Sequence, residues 1–366
     1  MRDLVALPKA HLHLHFTGST RPATLAGLAE EKRVRLPAAL LDDDPLRVPG
    51  DERGWFRFQR LYDAARQVVR DEATMRRVID EAVADDAAEG SVRLEIQVDP
   101  TSYAPHVGGI TPAVEIVLDE ARAASAAYGV EVGVIVAASR LRHPMDARTL
   151  ARLAARHAGS GPGEVIGFGL SNDERRGDTE AFAPAFAIAG RAGLALVPHA
   201  GELLGPAHVD QVLDCLHPHR LGHGVRSAED PRVLERVVRE QVVLEVCPAS
   251  NVSLGVYHQM AQVPLRTLVE AGAQVALGAD DPLLFRSRLV DQYTAARDVL
   301  GLDDAALAHL ARSSVQASRA GEAAKAGALA RIDAWLAEPP TPALINQRDR
   351  PEDRHREPVV PTTTGP

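Results

Sequence analysis

Residues 8–19 read Pro8-Lys-Ala-His-Leu-His-Leu-His-Phe-Thr-Gly-Ser19. His11, His13 and His15 alternate with Leu12, Leu14 and Phe16. Successive side chains of an extended chain point to opposite faces, so the spacing predicts a strand over Ala10–Phe16 with the three imidazoles on one face. A lone histidine is ordinarily a satisfied structural group. Three on one strand face, running into Thr17-Gly18-Ser19, point to a binding site at that strand's end.

Seven more short apolar runs follow: 92–98, 130–137, 165–169, 194–198, 220–224, 242–246 and 274–278. Stretches able to form one helix lie between most of them, as at 146–157, 179–192, 231–240 and 263–272. Repeated strand-then-helix alternation predicts a parallel sheet, and eight units predict a closed (β/α)8 TIM barrel spanning 1–338. Residues 20–88 break the rhythm and read as a helical insertion after the first strand, containing Trp55-Phe56-Arg57-Phe58. In a barrel such an insertion sits over the C-terminal mouth as a lid. Residues 339–366 are Pro-rich, charged and poor in large apolar side chains, the composition of a disordered tail without a part in the chemistry.

Of the 366 residues 45% are hydrophobic and 25% charged, which suits a soluble globular protein. The formal charge of −9 and the lack of a Lys/Arg-rich run argue against a nucleic-acid partner. Two cysteines, Cys215 and Cys247, are too few for a disulfide framework or a Cys-rich metal site. No apolar stretch approaches the ~20 residues of a membrane span, and no apolar leader precedes the histidine strand, so a cytoplasmic location is expected.

The polar residues collect at the ends of the proposed strands. His13 and His15 end the first, His199 and Glu202 the fifth, His223 the sixth, and Asp280 and Asp281 the eighth. In a TIM barrel these ends converge on one cavity. Taken singly, a strand-end histidine is a structural or capping group and Asp-Asp-Pro a turn. Together, three histidines and an aspartate with open coordination positions suit Zn²⁺ or a similar divalent ion carrying a reactive water.

The set PKAHLHLHFTGS (8–19), HAGE (199–202), RLGHGV (220–225), EVCPASN (245–251) and GADDPLLF (278–285), in this order over residues 5–335, resembles the adenosine deaminase family of metal-dependent aminohydrolases. The resemblance implies that His13, His15, His199 and Asp280 ligate one metal ion, zinc or alternatively iron or manganese, which makes hydroxide available as nucleophile. His223 would orient that water or take its proton. Asp281 would accept a hydrogen bond from purine N7 and help hold the hydroxide. Glu202 would protonate purine N1, for which burial must raise its pKa against the nearby dication. Asn172 stands where the family has a glycine whose backbone N–H meets purine N3. Phe58, with Leu61 and Tyr62, falls where the family builds an apolar wall over the substrate. His11, one layer deeper, is expected to support by hydrogen bonding.

Thr17 departs from the pattern. Adenosine-specific members carry an acid there, bonded to the ribose 5′-hydroxyl. A charge-assisted bond is worth ~1.5–3 kcal/mol, one to two orders of magnitude in discrimination. The implied activity is hydrolytic deamination of a 6-aminopurine nucleoside: adenosine, with Thr17, Ser19 or a water on the 5′-hydroxyl, or a 5′-extended nucleoside. A related branch acts on 6-amino-6-deoxyfutalosine, whose substituent ends in an aryl carboxylate that Arg57 and Arg60 could meet. Adenine deamination, or another metal-dependent hydrolysis on the same barrel, is the alternative. Glu202 and Asp281 together favour a purine.

Overall fold

The computed structural model describes residues 1–339. The expected disordered tail lies, but for its first residue, outside that range. Eight strands, β1 (Lys9–His15), β2 (Ser91–Val98), β3 (Glu131–Ser139), β4 (Val165–Ser171), β5 (Ala195–Ala200), β6 (Arg220–His223), β7 (Val243–Val246) and β8 (Val275–Leu277), pair in parallel in chain order. Each overlaps a predicted run. The sheet closes through Asp280, directly after β8: its N–H donates to the His13 carbonyl, and its carbonyl accepts from the His15 N–H, both at 3.0 Å. The result is the predicted (β/α)8 barrel. Strands buried on both faces read as near-continuous apolar runs because helices cover the outside.

The barrel interior is filled in two ways. Ile135, Ile166, Ala195 and Val197 form a small apolar cluster inside β3–β5. On the other side the filling is ionic. Arg220 lies 2.6 Å from Glu95 and 2.7 Å from Glu245, and all three are buried.

Three helices, α1 (Pro22–Glu31), α2 (Glu52–Arg66) and α3 (Glu72–Ala88), lie between β1 and β2. Asp51 caps α2 by accepting from the Gly54 N–H, and Asp71 caps α3 from Thr74 N–H. The chain between α1 and α2 runs over the segments that follow β7 and β8. Leu46 N–H donates to the Leu284 carbonyl and Val48 N–H to that of Ser253, both at 2.9 Å. The stretch read as one helix over 179–192 is divided into a 3₁₀ turn, Glu180–Phe182, and a helix, Ala183–Arg191. Pro184, lacking an N–H, belongs in a first helical turn and sets the division there.

Candidate functional site

The strand ends converge as the barrel requires. His15 Nε2 stands 3.1 Å from Asp280 Oδ1 and 3.2 Å from His199 Nε2, and His13 Nε2 is 3.5 Å from the same Asp280 oxygen. His13 Nε2 is buried without a hydrogen-bond partner among the described residues. Its other nitrogen, Nδ1, donates to Glu245 at 2.8 Å, which leaves the Nε2 lone pair directed at the cluster. His13, His15 and Asp280 offer ligand atoms within 4.8 Å of one another, His13 and His199 do so with His223, and His199 Nε2 reaches His15 Nε2, so these nitrogens and the carboxylate oxygen are a donor set that fits a divalent ion such as zinc.

His223 and Glu202 stand beside this cluster, 3.5 Å apart, and both are buried. Burial, opposed by Asp280, depresses the His223 imidazole to about 3, so it is neutral. Burial and then the charges of Asp280 and Glu174 push Glu202 well above the usual carboxylate range. Asp281 is raised for the same reasons, burial first and Asp280 second. Asp280 goes the other way: against the effect of its burial, the neighbouring His13, His15 and His223 hold it well below the usual carboxylate range. The two adjacent aspartates are thereby shifted in opposite directions.

The backbone is strained at several of these positions. Asn172, His223 and Asp280 adopt left-handed φ values of +82°, +66° and +62°. Such conformations cost a non-glycine residue of order 1–3 kcal/mol and persist where surrounding structure imposes them. Asparagine tolerates the region best, which explains how residue 172 replaces a glycine. Its side chain accepts from the Asp173 N–H at 2.8 Å. Gly18 is required by contact: a Cβ there would sit 1.8 Å from Asp281 Oδ1.

A cavity of about 290 Å³ opens over the cluster, lined by His15, His199, Glu202, His223, Asp280 and Asp281 at its base. Thr17, Phe58 and Asn172 line it too, so it brings all the predicted site residues together except the buried His13, directly beneath. Phe58 stacks on Phe285, and Trp55 and Tyr62 flank it. Leu61 is buried beneath α2 and does not reach the cavity. Arg57 and Arg60 point to solvent, because the buried stripe of α2 runs through Phe58, Leu61 and Ala65 and places them on the opposite face. The arginines that line the cavity are Arg66 and Arg142. His11 bonds Asp86 at 3.0 Å and accepts from the Ala279 N–H at 3.1 Å, away from the cluster.

Thr17 is buried and its hydroxyl is hydrogen-bonded to that of Tyr103. Tyr103, Glu245 and Glu174 were not assigned roles from the sequence. For Glu245 a signal existed, since it precedes Cys247 by two on an inward-facing strand.

Residues 8–335 match the family described as adenosine deaminase. The chain belongs to that family. A Streptomyces virginiae protein provisionally named adenosine/adenine deaminase is 58% identical over 336 residues, covering 92% of this chain and 98% of that protein. An Agrobacterium fabrum adenine deaminase is 33% identical, covering 89% and 98%. Among solved structures, an adenine deaminase from Arthrobacter aurescens superposes with a TM-score of 0.82 at 30% identity, covering 90% and 99%. This adenosine deaminase family member is accordingly a hydrolase acting on C–N bonds. No helix among its described residues is long and apolar enough to cross a membrane.

Proposed function

We propose that this enzyme removes the 6-amino group of a purine nucleoside by hydrolysis, releasing ammonia and leaving the 6-oxo purine. The observation that carries this reading is Glu202, a buried carboxyl in the cavity wall, 3.5 Å from His223 and pushed up by burial and the charges around it. Water attack at C6 places charge on N1, and an acid positioned there donates to it as the charge develops. His13, His15, His199 and Asp280 are the residues that would hold one divalent ion, zinc by donor type. When bound, such an ion supplies a water acidic enough to react at neutral pH. His223, beside these residues, would orient the attacking water and accept its proton. Asp281 takes the reverse of the role expected from the resemblance. N7 of a 9-substituted purine is an acceptor, so Asp281, pushed up by burial and Asp280, donates to it. The Asn172 N–H is the donor for N3.

The 5′ substituent follows from Thr17. Its hydroxyl is already hydrogen-bonded to that of Tyr103, and it offers no charge to a ribose 5′-hydroxyl. The cavity wall also includes Gln59, Asp63, Arg66, Leu141 and Arg142. We read the substrate as a nucleoside extended at 5′, with Arg66 and Arg142, in place of Arg57 and Arg60, facing an acidic substituent. Arg66 Nη1 is paired with Asp63 at 2.9 Å, while its Nε is buried without a partner among the described residues. Free adenine is the second reading, favoured by the relatives named adenine deaminase and by the Tyr62 and Tyr103 wall. Ammonia release should be compared by kcat/KM for adenosine, 5′-substituted 5′-deoxyadenosines with and without an aryl carboxylate, and adenine. The carboxylate-bearing nucleoside should lead by ~10-fold or more. A lead for adenine selects the second reading, and no ammonia from any of them with metal-replete protein overturns deamination.

A further inference from the structure

Glu174, just beyond β4, is not among the reacting groups above, although its charge helps to raise Glu202. Its side chain is fully enclosed. Oε1 accepts from the Glu202 N–H at 3.1 Å, and Oε2 accepts from the N–H groups of Leu203 at 3.0 Å and Leu204 at 2.7 Å. The chain leaves β5 through Gly201 at a left-handed φ of +72°, and the three amides that follow converge on one carboxylate. Consecutive amides turned to one point are an anion receptor, and Glu174 fills it from within the chain. The other end of the segment is held by the residue after β3: Arg140 Nη2 donates to the His199 carbonyl at 2.8 Å, and Nη1 to Thr179 Oγ1 at 3.0 Å. His208 Nδ1 lies 3.7 Å behind Glu174. Burial opposes the charge on Glu174, but His208, the Leu204 amide and Arg140 together keep it ionised.

We propose that Glu174 is the positioning residue for Glu202: its three amide contacts fix where the Glu202 carboxyl sits in the cavity, and it acts on turnover through that residue alone. The inference rests on the reading of Glu202 as the proton donor. A misplacement of about 1 Å in a catalytic group costs ~100-fold. An amide at 174 keeps one acceptor oxygen and turns an NH₂ toward a backbone N–H, so Glu174→Gln breaks the receptor at nearly constant size.

The test is a double-mutant cycle between Glu174→Gln and Glu202→Gln on the metal-loaded protein, with kcat and KM measured separately. Glu174→Gln should lower kcat by ~10–100-fold with KM within about threefold. In the Glu202→Gln background the same change should alter the residual kcat by less than about twofold. Glu174→Asp keeps the charge one methylene short and should fall between wild type and Glu174→Gln, again in kcat alone; it carries the test if Glu174→Gln does not fold. Unchanged kcat in Glu174→Gln, equal losses in both backgrounds, or a loss confined to KM overturns the proposal. Near-normal turnover by Glu202→Gln alone instead overturns the Glu202 reading, so the two failures are distinct.

Discussion

Glu202 combines burial with neighbouring acids, and both push its carboxyl above the usual range. Replacing it with Gln preserves size and burial while removing the transferable proton. Glu202→Gln should lower kcat by ~10²–10⁴-fold, the usual worth of a positioned general acid, with metal content and melting temperature unchanged. Metal analysis and calorimetry beside the kinetics check this, and near-normal kcat would remove the N1 role. Thr17 carries a different prediction. Thr17→Asp places a carboxylate beside Tyr103 and should raise selectivity for adenosine over 5′-substituted nucleosides by ~10-fold or more, through the charge-assisted bond that threonine lacks. Unchanged selectivity would mean that residue 17 does not face the 5′ position. The placement of the strand-end residues was legible because alternation and strand termini are local properties. Tyr103 and Glu174 were not, since their partners, Thr17 and the amides of 202–204, lie far away in sequence.

Among the elements, all eight strands were legible, because short apolar runs between helical segments have few other interpretations in a parallel sheet. The orientation of α2 was harder to read. Trp55, Phe56, Phe58, Leu61 and Tyr62 allow several apolar faces, and packing selects the one that buries Phe58, Leu61 and Ala65 and leaves Phe56 64% exposed. That rotation turns Arg57 and Arg60 outward and Arg66 inward. Phe58→Ala removes a ring stacked on Phe285 and should cost ~3–5 kcal/mol in urea unfolding, while raising KM more than it lowers kcat. Arg66→Ala should raise KM for a 5′-carboxylate nucleoside and leave KM for adenosine within about twofold, whereas Arg60→Ala should change neither. Equal effects of Arg66→Ala on both substrates would place the substituent elsewhere.

Across the whole molecule, the cluster is connected to the base of the barrel by buried charge. His13 donates to Glu245, Glu245 pairs with Arg220, Arg220 with Glu95, and Glu95 with Arg93 at 3.2 Å. None of these groups is more than 1–2% exposed, so each charge persists only because its neighbours are present. Removing one partner from such a set costs ~3–5 kcal/mol, because an uncompensated buried ion remains. Arg220→Met should therefore lower the urea midpoint substantially. The pH dependence gives the sharper check. Burial alone would raise Glu95, but Arg220 and Arg93 hold it below its ordinary value of 4.5. A depressed carboxyl stabilises the fold above its unfolded pKa, and that contribution is lost as the pH falls through about 4.5 and below. Without Arg220, burial dominates and Glu95 is raised, so its contribution is greatest at low pH and declines as the pH rises toward neutrality. Glu202 and Asp281 are raised in both proteins, so their shared slope cancels in the difference. The stability lost in Arg220→Met should shrink steadily as the pH is lowered from 7 to 5. A loss constant over that range would show that Arg220 fills space in the barrel without holding the charge of Glu95.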